Sequence, residues 1–152
     1  MATTYLIVLW VIVAAAWLFM AKTIPMHFNA KNEVDEWGNK ANLFMKPFVA
    51  TMMYWLITII NKYPQHFNYT KPVTEQNALK LYTRATGLVR TIKMAIMIAF
   101  VIDTINDLLI ARTPSFHSTT PSTILQWTAV AFVVSTVAIK LLNTYGKDDV
   151  GS

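Results

Sequence analysis

The sequence predicts an all-α integral membrane protein, an antiparallel bundle of four transmembrane helices in one domain of 152 residues. Hydrophobic residues make up 55% of the chain and charged residues only 14%, whereas a soluble domain carries about 25% charged residues. The apolar residues also gather in four stretches, each close to the ~20 residues that cross ~30 Å of hydrocarbon. This pattern fits a protein whose lateral surface meets lipid.

Polar connections separate the four predicted helices. The first helix carries no charge, and the residues before it lack the basic group of a signal peptide, so we expect it to be retained. The second begins near Lys46, which is expected to snorkel to the headgroups, and Pro47, which a first helical turn tolerates. The predicted helices span about 5–21, 43–61, 88–110 and 123–142, with an extracytoplasmic cap at 22–42 and a cytoplasmic connection at 62–87.

A basic amphipathic stretch precedes the third helix. Apolar residues recur at helical spacing from Ala78 to Ile92, which predicts a surface helix with its apolar face toward lipid. Gly87 is where that helix would bend into the bilayer, and the alternative is one straight helix from Glu75 to Ile110. Four basic residues lie largely off the apolar stripe and are predicted to contact anionic lipid: Lys80, Arg84, Arg90 and Lys93.

The distribution of basic residues predicts the orientation. The connection between the second and third helices carries Glu75 as its only acid against a set of basic residues: Lys62, Lys71, Lys80, Arg84, Arg90 and Lys93. The positive-inside rule places this connection in the cytoplasm. Both termini are then predicted to be cytoplasmic.

The connection between the first two helices carries a motif of uncommon residues. It contains Ile24-Pro25-Met26-His27-Phe28-Asn29, then Asp35-Glu36-Trp37-Gly38-Asn39-Lys40, and Pro47 follows at the next helix. Over about Tyr5 to Ile60 the chain resembles the bacterial membrane family catalogued as domain of unknown function 1648. The resemblance implies a protein of the bacterial cytoplasmic membrane, with the motif forming its cap: Pro25, Asn29, Trp37, Gly38 and Lys40.

The family resemblance has a limited functional implication. The same module occurs in the larger immunity protein of the sporulation-delay toxin system, which protects its cell from a membrane-active toxin and helps signal the toxin's presence. Most other members have no established activity. An immunity or signalling role is therefore an expectation for this chain.

Two acids stand in the third apolar stretch. Asp103 and Asp107 share one face of the predicted helix, and an Asp at a helix centre costs about 2.5–3.5 kcal/mol on insertion scales. Such a residue should face the bundle and have a partner. Asp103 lies near mid-bilayer if Lys93 marks the cytoplasmic boundary, and at the outer interface if the membrane segment begins nearer Leu88.

Both placements bring these acids toward the side of the membrane that carries the cap. His27, Asp35, Asp103 and Asp107 are therefore predicted to form one site for a ligand or cation, with His27, Lys40 or Arg112 as possible donors to the carboxylates. The alternative is an inert cap, in which Trp37 sits at the interface and Asp35 pairs with Lys40 or caps a turn.

Small and hydroxyl-bearing residues mark the faces on which membrane helices pack. Such residues line one face of the second helix, Thr51, Tyr54, Thr58 and Asn61, and one face of the fourth, Thr128, Ala131 and Ser135. These faces are predicted to point into the bundle.

The sequence offers no sign of catalysis. It lacks a Gly-rich phosphate loop, a nucleophile elbow and a zincin motif, so we expect no enzyme activity and no cofactor, and leave a metal open. The expected partners are the bilayer with its anionic lipid and a peptide toxin or another membrane protein, without nucleic acid. Three functions remain: non-catalytic recognition of immunity or signalling type, a small transporter or ion-binding protein that uses the intramembrane carboxylates, and an accessory subunit of a membrane complex.

Overall fold

The computed structural model describes residues 1–29, 34–69 and 71–112, together with Ser135. Three α-helices form within these residues: α1 (Ala2–Phe19), α2 (Met45–Ile60) and α3 (Ala78–Arg112). All three provide stretches long and apolar enough to cross a membrane, so the chain is a multi-pass membrane protein. The predicted fourth helix at 123–142 lies outside the described residues apart from Ser135.

Helix α1 carries no charged side chain, as the sequence predicted, and most of its residues are apolar. Leu9 and Val13 are fully buried against the other helices, whereas Leu18 and Phe19 are 75% and 86% exposed. Large apolar side chains also stand exposed along α2, among them Met52 and Trp55. A helix that is apolar all round suits a lipid environment, where these exposed side chains meet acyl chains.

The centre of the three-helix packing takes one residue from each helix. Leu9 of α1, Ala50 of α2 and Met97 of α3 form a buried cluster. The small Ala50 lets the helices approach closely, and Met97 fills the remaining gap. Because lipid tails are as apolar as these side chains, the cluster stabilises the bundle mainly through van der Waals packing.

The third helix is continuous from Ala78 to Arg112. The basic stretch is the first part of this helix, as in the alternative of a single helix, and the start of the membrane segment near residue 88 stays a prediction. Gly87 costs about 1 kcal/mol relative to alanine in a helix interior, and the helix nevertheless continues on both sides of it. At ~1.5 Å per residue, 35 residues span about 52 Å, well beyond the ~30 Å of hydrocarbon.

The cap between α1 and α2 is a β-hairpin, so the all-α prediction was wrong here. Strands β1 (Thr23–Phe28) and β2 (Val34–Asn39) pair antiparallel. The register pairs Ile24 with Gly38 and Pro25 with Trp37, then shifts on either side of His27. Proline cannot donate to a ladder and sits at open sheet edges, which a two-stranded sheet provides, whereas in a helix interior it would break the backbone bonding.

A short 3-10 turn, Lys40–Phe44, joins the hairpin to α2. Its first N–H groups are capped by Asn39, whose side-chain oxygen accepts a hydrogen bond from the Ala41 nitrogen at 2.9 Å. Phe44 then packs against Trp10 and Trp17 of α1, with ring centroids 6.2 and 5.1 Å apart. Pro47 follows in the first turn of α2, where the sequence placed it.

Candidate functional site

The hairpin and the adjoining helix termini will be called the hairpin end of the bundle, and the opposite end the connection end. Lys46, in the first turn of α2, reaches both acids of α3. Its Nζ lies 2.5 Å from an Oδ2 of Asp103 and 2.5 Å from an Oδ2 of Asp107. The acids stand one turn apart on α3, so a single ammonium group bridges them.

This three-residue cluster is partly enclosed. The side chains of Lys46, Asp103 and Asp107 keep 33%, 31% and 41% of their surface exposed. Two carboxylates against one ammonium leave a formal charge of −1 at ordinary pH. Lys46 thus neutralises one of two negative charges that would be costly in an apolar segment.

The hydroxyl residues of α2 bond to the other two helices, which confirms part of the predicted inward face. Trp10 Nε1 donates to Thr51 Oγ1 at 3.0 Å, and the Thr3 and Tyr54 hydroxyls are 2.8 Å apart. Thr58 Oγ1 accepts from the Lys93 ammonium at 3.1 Å. Polar contacts of this kind hold membrane helices in register.

Two polar levels tie α2 to α3. Lys46 meets the acids at one level and Lys93 meets Thr58 at the other. The two α2 residues are 12 positions apart, which is about 18 Å along the helix. Since hydrocarbon is ~30 Å thick and any tilt shortens the distance along the membrane normal, the two levels cannot lie on opposite sides of the apolar layer.

Lys40 fastens the hairpin to the end of α1. Its Nζ donates to the Trp17 carbonyl at 3.1 Å and lies 4.5 Å from the centroid of a Trp17 ring. The last carbonyls of a helix lack intrahelical donors and carry partial negative charge, so a lysine there satisfies both needs. The Lys40 backbone nitrogen also bonds to the Lys22 carbonyl at 2.9 Å.

Gly38 is required by a close approach within the hairpin. A Cβ at this position would clash with the Met26 side chain and lie 3.0 Å from Nδ2 of Asn42. The Asn42 amide points at the Met26 sulfur, 3.2 Å away. The glycine of the Trp37-Gly38 motif therefore has a steric cause, because it leaves room for the Met26 side chain on the neighbouring strand.

Residues 5–51 match the model of DUF1648, a domain of unknown function. The match confirms the family suspected from the motif. It runs through α1 and the hairpin into the first part of α2, about a third of the chain. No curated protein and no solved structure matches the chain.

The DUF1648 segment supplies Lys46, and α3 beyond it supplies both acids. The cluster therefore joins the matched segment to the rest of the chain. The sequence predicted that Lys46 snorkels to the headgroups and that the partner of the acids is His27, Lys40 or Arg112. Charge balance could have predicted the pairing, because the second apolar stretch contains one lysine and the third contains two acids.

The remaining predicted site residues lie on the hairpin. His27 pairs with Glu36 in the register of the sheet, and Asp35 stands exposed at the second register shift of β2. A single site shared by His27, Asp35 and the α3 acids stays a prediction. Within the residues that the structure describes, no group of three or more His, Asp or Glu side chains is arranged to hold a metal ion.

Proposed function

We propose that this protein is a non-catalytic recognition protein of the immunity or signalling type, and that its hairpin binds a peptide or a partner membrane protein. The observation that carries the proposal is that strand β2 of the hairpin has exposed polar and aromatic side chains. Trp37 is 55% exposed, and Asp35 and Glu36 beside it are exposed.

The hairpin is held firmly enough to act as a preformed surface. Lys40 binds it to α1, and its two strands pair from Thr23 and Asn39 to Phe28 and Val34. A binding surface that is ordered before association loses less conformational freedom on binding. Among residues 1–29, 34–69 and 71–112, no further strand pairs with this two-stranded sheet, and an extended peptide can add to such an edge by backbone hydrogen bonds.

The exposed groups favour a particular kind of peptide. An exposed tryptophan next to carboxylates suits a segment that is both apolar and cationic, because tryptophan binds apolar and cationic side chains and carboxylates attract positive charge. Membrane-active peptides commonly combine these properties. The competing role for Trp37 is an interfacial anchor that touches only lipid.

Two exposed tryptophans make a matched test. Trp37 on the hairpin and Trp55 on α2 are 55% and 59% exposed. A photoreactive phenylalanine analogue at each position, in cells exposed to cationic membrane-active peptides, should cross-link to peptide or protein at position 37 and to lipid at position 55. Cells that lack the protein should be more sensitive to such a peptide, with protection restored by Trp55→Ala and not by Trp37→Ala.

Cross-linking to lipid alone at both positions would assign Trp37 to membrane anchoring and end the recognition proposal. Steady capture of one resident membrane protein without added peptide would indicate the accessory-subunit role instead. Equal membrane levels of both alanine variants, measured by immunoblot, are the required control.

The proposed location is the bacterial inner membrane, with the hairpin outside and the 62–87 connection inside. The chain has no cysteine, so single cysteines at Glu36 and Lys71, both exposed, report the topology. An impermeant thiol reagent should label Glu36→Cys in intact cells and Lys71→Cys only after lysis. The reverse pattern would invert the orientation.

Cation or proton binding is a second candidate function, favoured by the cluster of Lys46, Asp103 and Asp107. Its formal charge of −1 leaves one carboxylate available to a proton or cation beside the lysine. Proteoliposomes loaded with a pH-sensitive dye should show proton or cation flux that Asp107→Asn abolishes. An absence of flux across several imposed ion gradients would leave the cluster a structural tie between α2 and α3.

A further inference from the structure

A second polar feature lies at the connection end of the bundle. A cavity of about 550 Å³ opens between the start of α1, Tyr54 of α2 and the Gly87–Met94 stretch of α3. It is separate from the hairpin, which follows the other end of α1. The polar and charged side chains in its wall are Thr3, Tyr54, Arg90, Thr91 and Lys93.

The charge of this cavity has one sign. Arg90 and Lys93 line it, and none of the described residues around it carries a carboxylate. Lys93 makes its polar contacts with neutral groups: its Nζ donates to Thr58 at 3.1 Å and lies 4.5 Å from the centroid of the Tyr54 ring. Neither contact cancels the charge, so the wall carries a formal charge of +2 from these two residues.

The wall also holds neutral groups suited to an anion. The hydroxyls of Thr3 and Tyr54 lie 2.8 Å apart, and because one proton satisfies that bond, the other hydroxyl proton can point elsewhere. Arginine offers a planar fork of donors that matches phosphate, and lysine binds phosphate as a compact charge. Met94 adds an apolar wall.

We propose that this cavity binds the phosphate group of an anionic phospholipid. The headgroup would enter between Arg90 and Lys93, and the acyl chains would follow the exposed apolar surface of the neighbouring helices. This goes beyond a diffuse attraction between a basic helix and an anionic membrane, because it requires a cavity of defined shape as well as charge. It does not depend on what the hairpin recognises.

Gly87 allows shape to be tested without changing charge. It lines the cavity, and a Cβ built there meets no atom within 4 Å. Gly87→Leu should therefore occupy part of the cavity, while the helix gains from losing a glycine. A diffuse electrostatic attraction would be unaffected by this change.

The experiment uses the full-length protein purified in neutral detergent, with lipid binding followed by native mass spectrometry. The probes are phosphatidylglycerol, phosphatidylcholine and inorganic phosphate. Unmodified protein should prefer phosphatidylglycerol, and Arg90→Gln with Lys93→Gln should weaken that binding roughly tenfold. The matched control is Lys80→Gln with Arg84→Gln, which removes the same charge from α3 outside the cavity and should leave binding within about twofold.

Three outcomes would overturn the proposal. Equal weakening by both charge pairs, with no effect of Gly87→Leu, would mean diffuse attraction. Inorganic phosphate that displaces the lipid at similar concentration would assign the cavity to a soluble phosphate compound. Equal affinity for phosphatidylcholine would remove the anionic preference.

A milder variant keeps the test decisive where a double substitution impairs folding. Tyr54→Phe retains the ring under Lys93 and removes one hydroxyl, so it should weaken phosphatidylglycerol binding a few-fold. Thermal unfolding of each variant identifies those that remain folded. No loss of lipid binding in folded Tyr54→Phe and folded Gly87→Leu would reject the cavity.

Discussion

Two lysines lie at the contact between α2 and α3, and their partners differ in charge. Lys46 at the hairpin end meets two carboxylates at 2.5 Å. Lys93 at the connection end meets a hydroxyl and an aromatic ring. At the hairpin end, two carboxylates more than balance the charge of Lys46. At the connection end, the described residues around the cavity do not balance the charge of Lys93.

The difference separates a structural use of charge from a binding use. The positive charge of Lys46 is balanced by fixed carboxylates and ties the helices together, whereas positive charge that is unbalanced beside a cavity attracts an anionic ligand. Substitutions at the hairpin end should therefore change stability most. Substitutions at the connection end should change ligand binding more than stability.

The largest effect is expected for Lys46→Met. It leaves two carboxylates facing each other in a membrane-spanning segment, and because the cluster is about one-third exposed, we expect a loss of about 1–3 kcal/mol, between the values for surface and buried pairs. Thermal unfolding in detergent, followed by circular dichroism, measures the loss. Adding Asp103→Asn and Asp107→Asn to Lys46→Met should recover most of it, and failure to recover would mean that Lys46 acts through packing.

A smaller effect is expected for Asp103→Asn alone. Lys46 loses one charged partner but keeps Asp107, and the fall of the cluster's formal charge to zero offsets part of that loss, so a net loss of about 0.5–1.5 kcal/mol should result. Glu75→Gln, at an exposed position of the connection, is the control and should stay within about 0.5 kcal/mol of the unmodified protein. Equal effects of the two changes would contradict an internal pairing of Asp103.

Lys93→Met is expected to cost less than Lys46→Met. It removes one hydrogen bond and one cation–π contact but leaves no unpaired charge behind, so about 0.5–1 kcal/mol is expected. The same unfolding assay applies, in detergent without anionic lipid. A loss as large as that of Lys46→Met would break the distinction between the two lysines.

The smallest effect is expected for Thr58→Val, which removes the acceptor for Lys93 and the hydrogen bond that Thr58 Oγ1 donates to the Tyr54 carbonyl of the same helix. Hydrogen bonds between membrane helices average about 0.6 kcal/mol. The unfolding temperature should fall slightly, and phosphatidylglycerol binding should hold or rise because Lys93 is then free to turn to the ligand. A marked loss of lipid binding would mean that Thr58 positions Lys93 for it.

The sequence was sufficient for α1 and α2 and insufficient for the hairpin. Continuous apolar length defines a span by itself, which is why α1 and α2 lie close to their predicted bounds. The hairpin has no clean alternation, because its register shifts around His27 and a shift moves side chains to the other face. Its pairing therefore left no regular pattern to read.

The partner of the acids was missed for a different reason. Apolar length locates α2 and α3 along the chain but does not set how they slide against each other. A shift of one turn, about 5.4 Å, would move Lys46 out of reach of either Asp103 or Asp107. The structure fixes that register, and the pairing follows from it.

The unbroken course of α3 has a mechanical consequence. A continuous 35-residue helix is longer than the apolar layer is thick, and its unbroken backbone hydrogen bonding links its two ends mechanically. The acids bound to Lys46 lie near one end of the helix and the two cavity cations lie nearer the other. A tilt imposed at the hairpin end must swing the opposite end in the other direction, so the two ends cannot reorient independently.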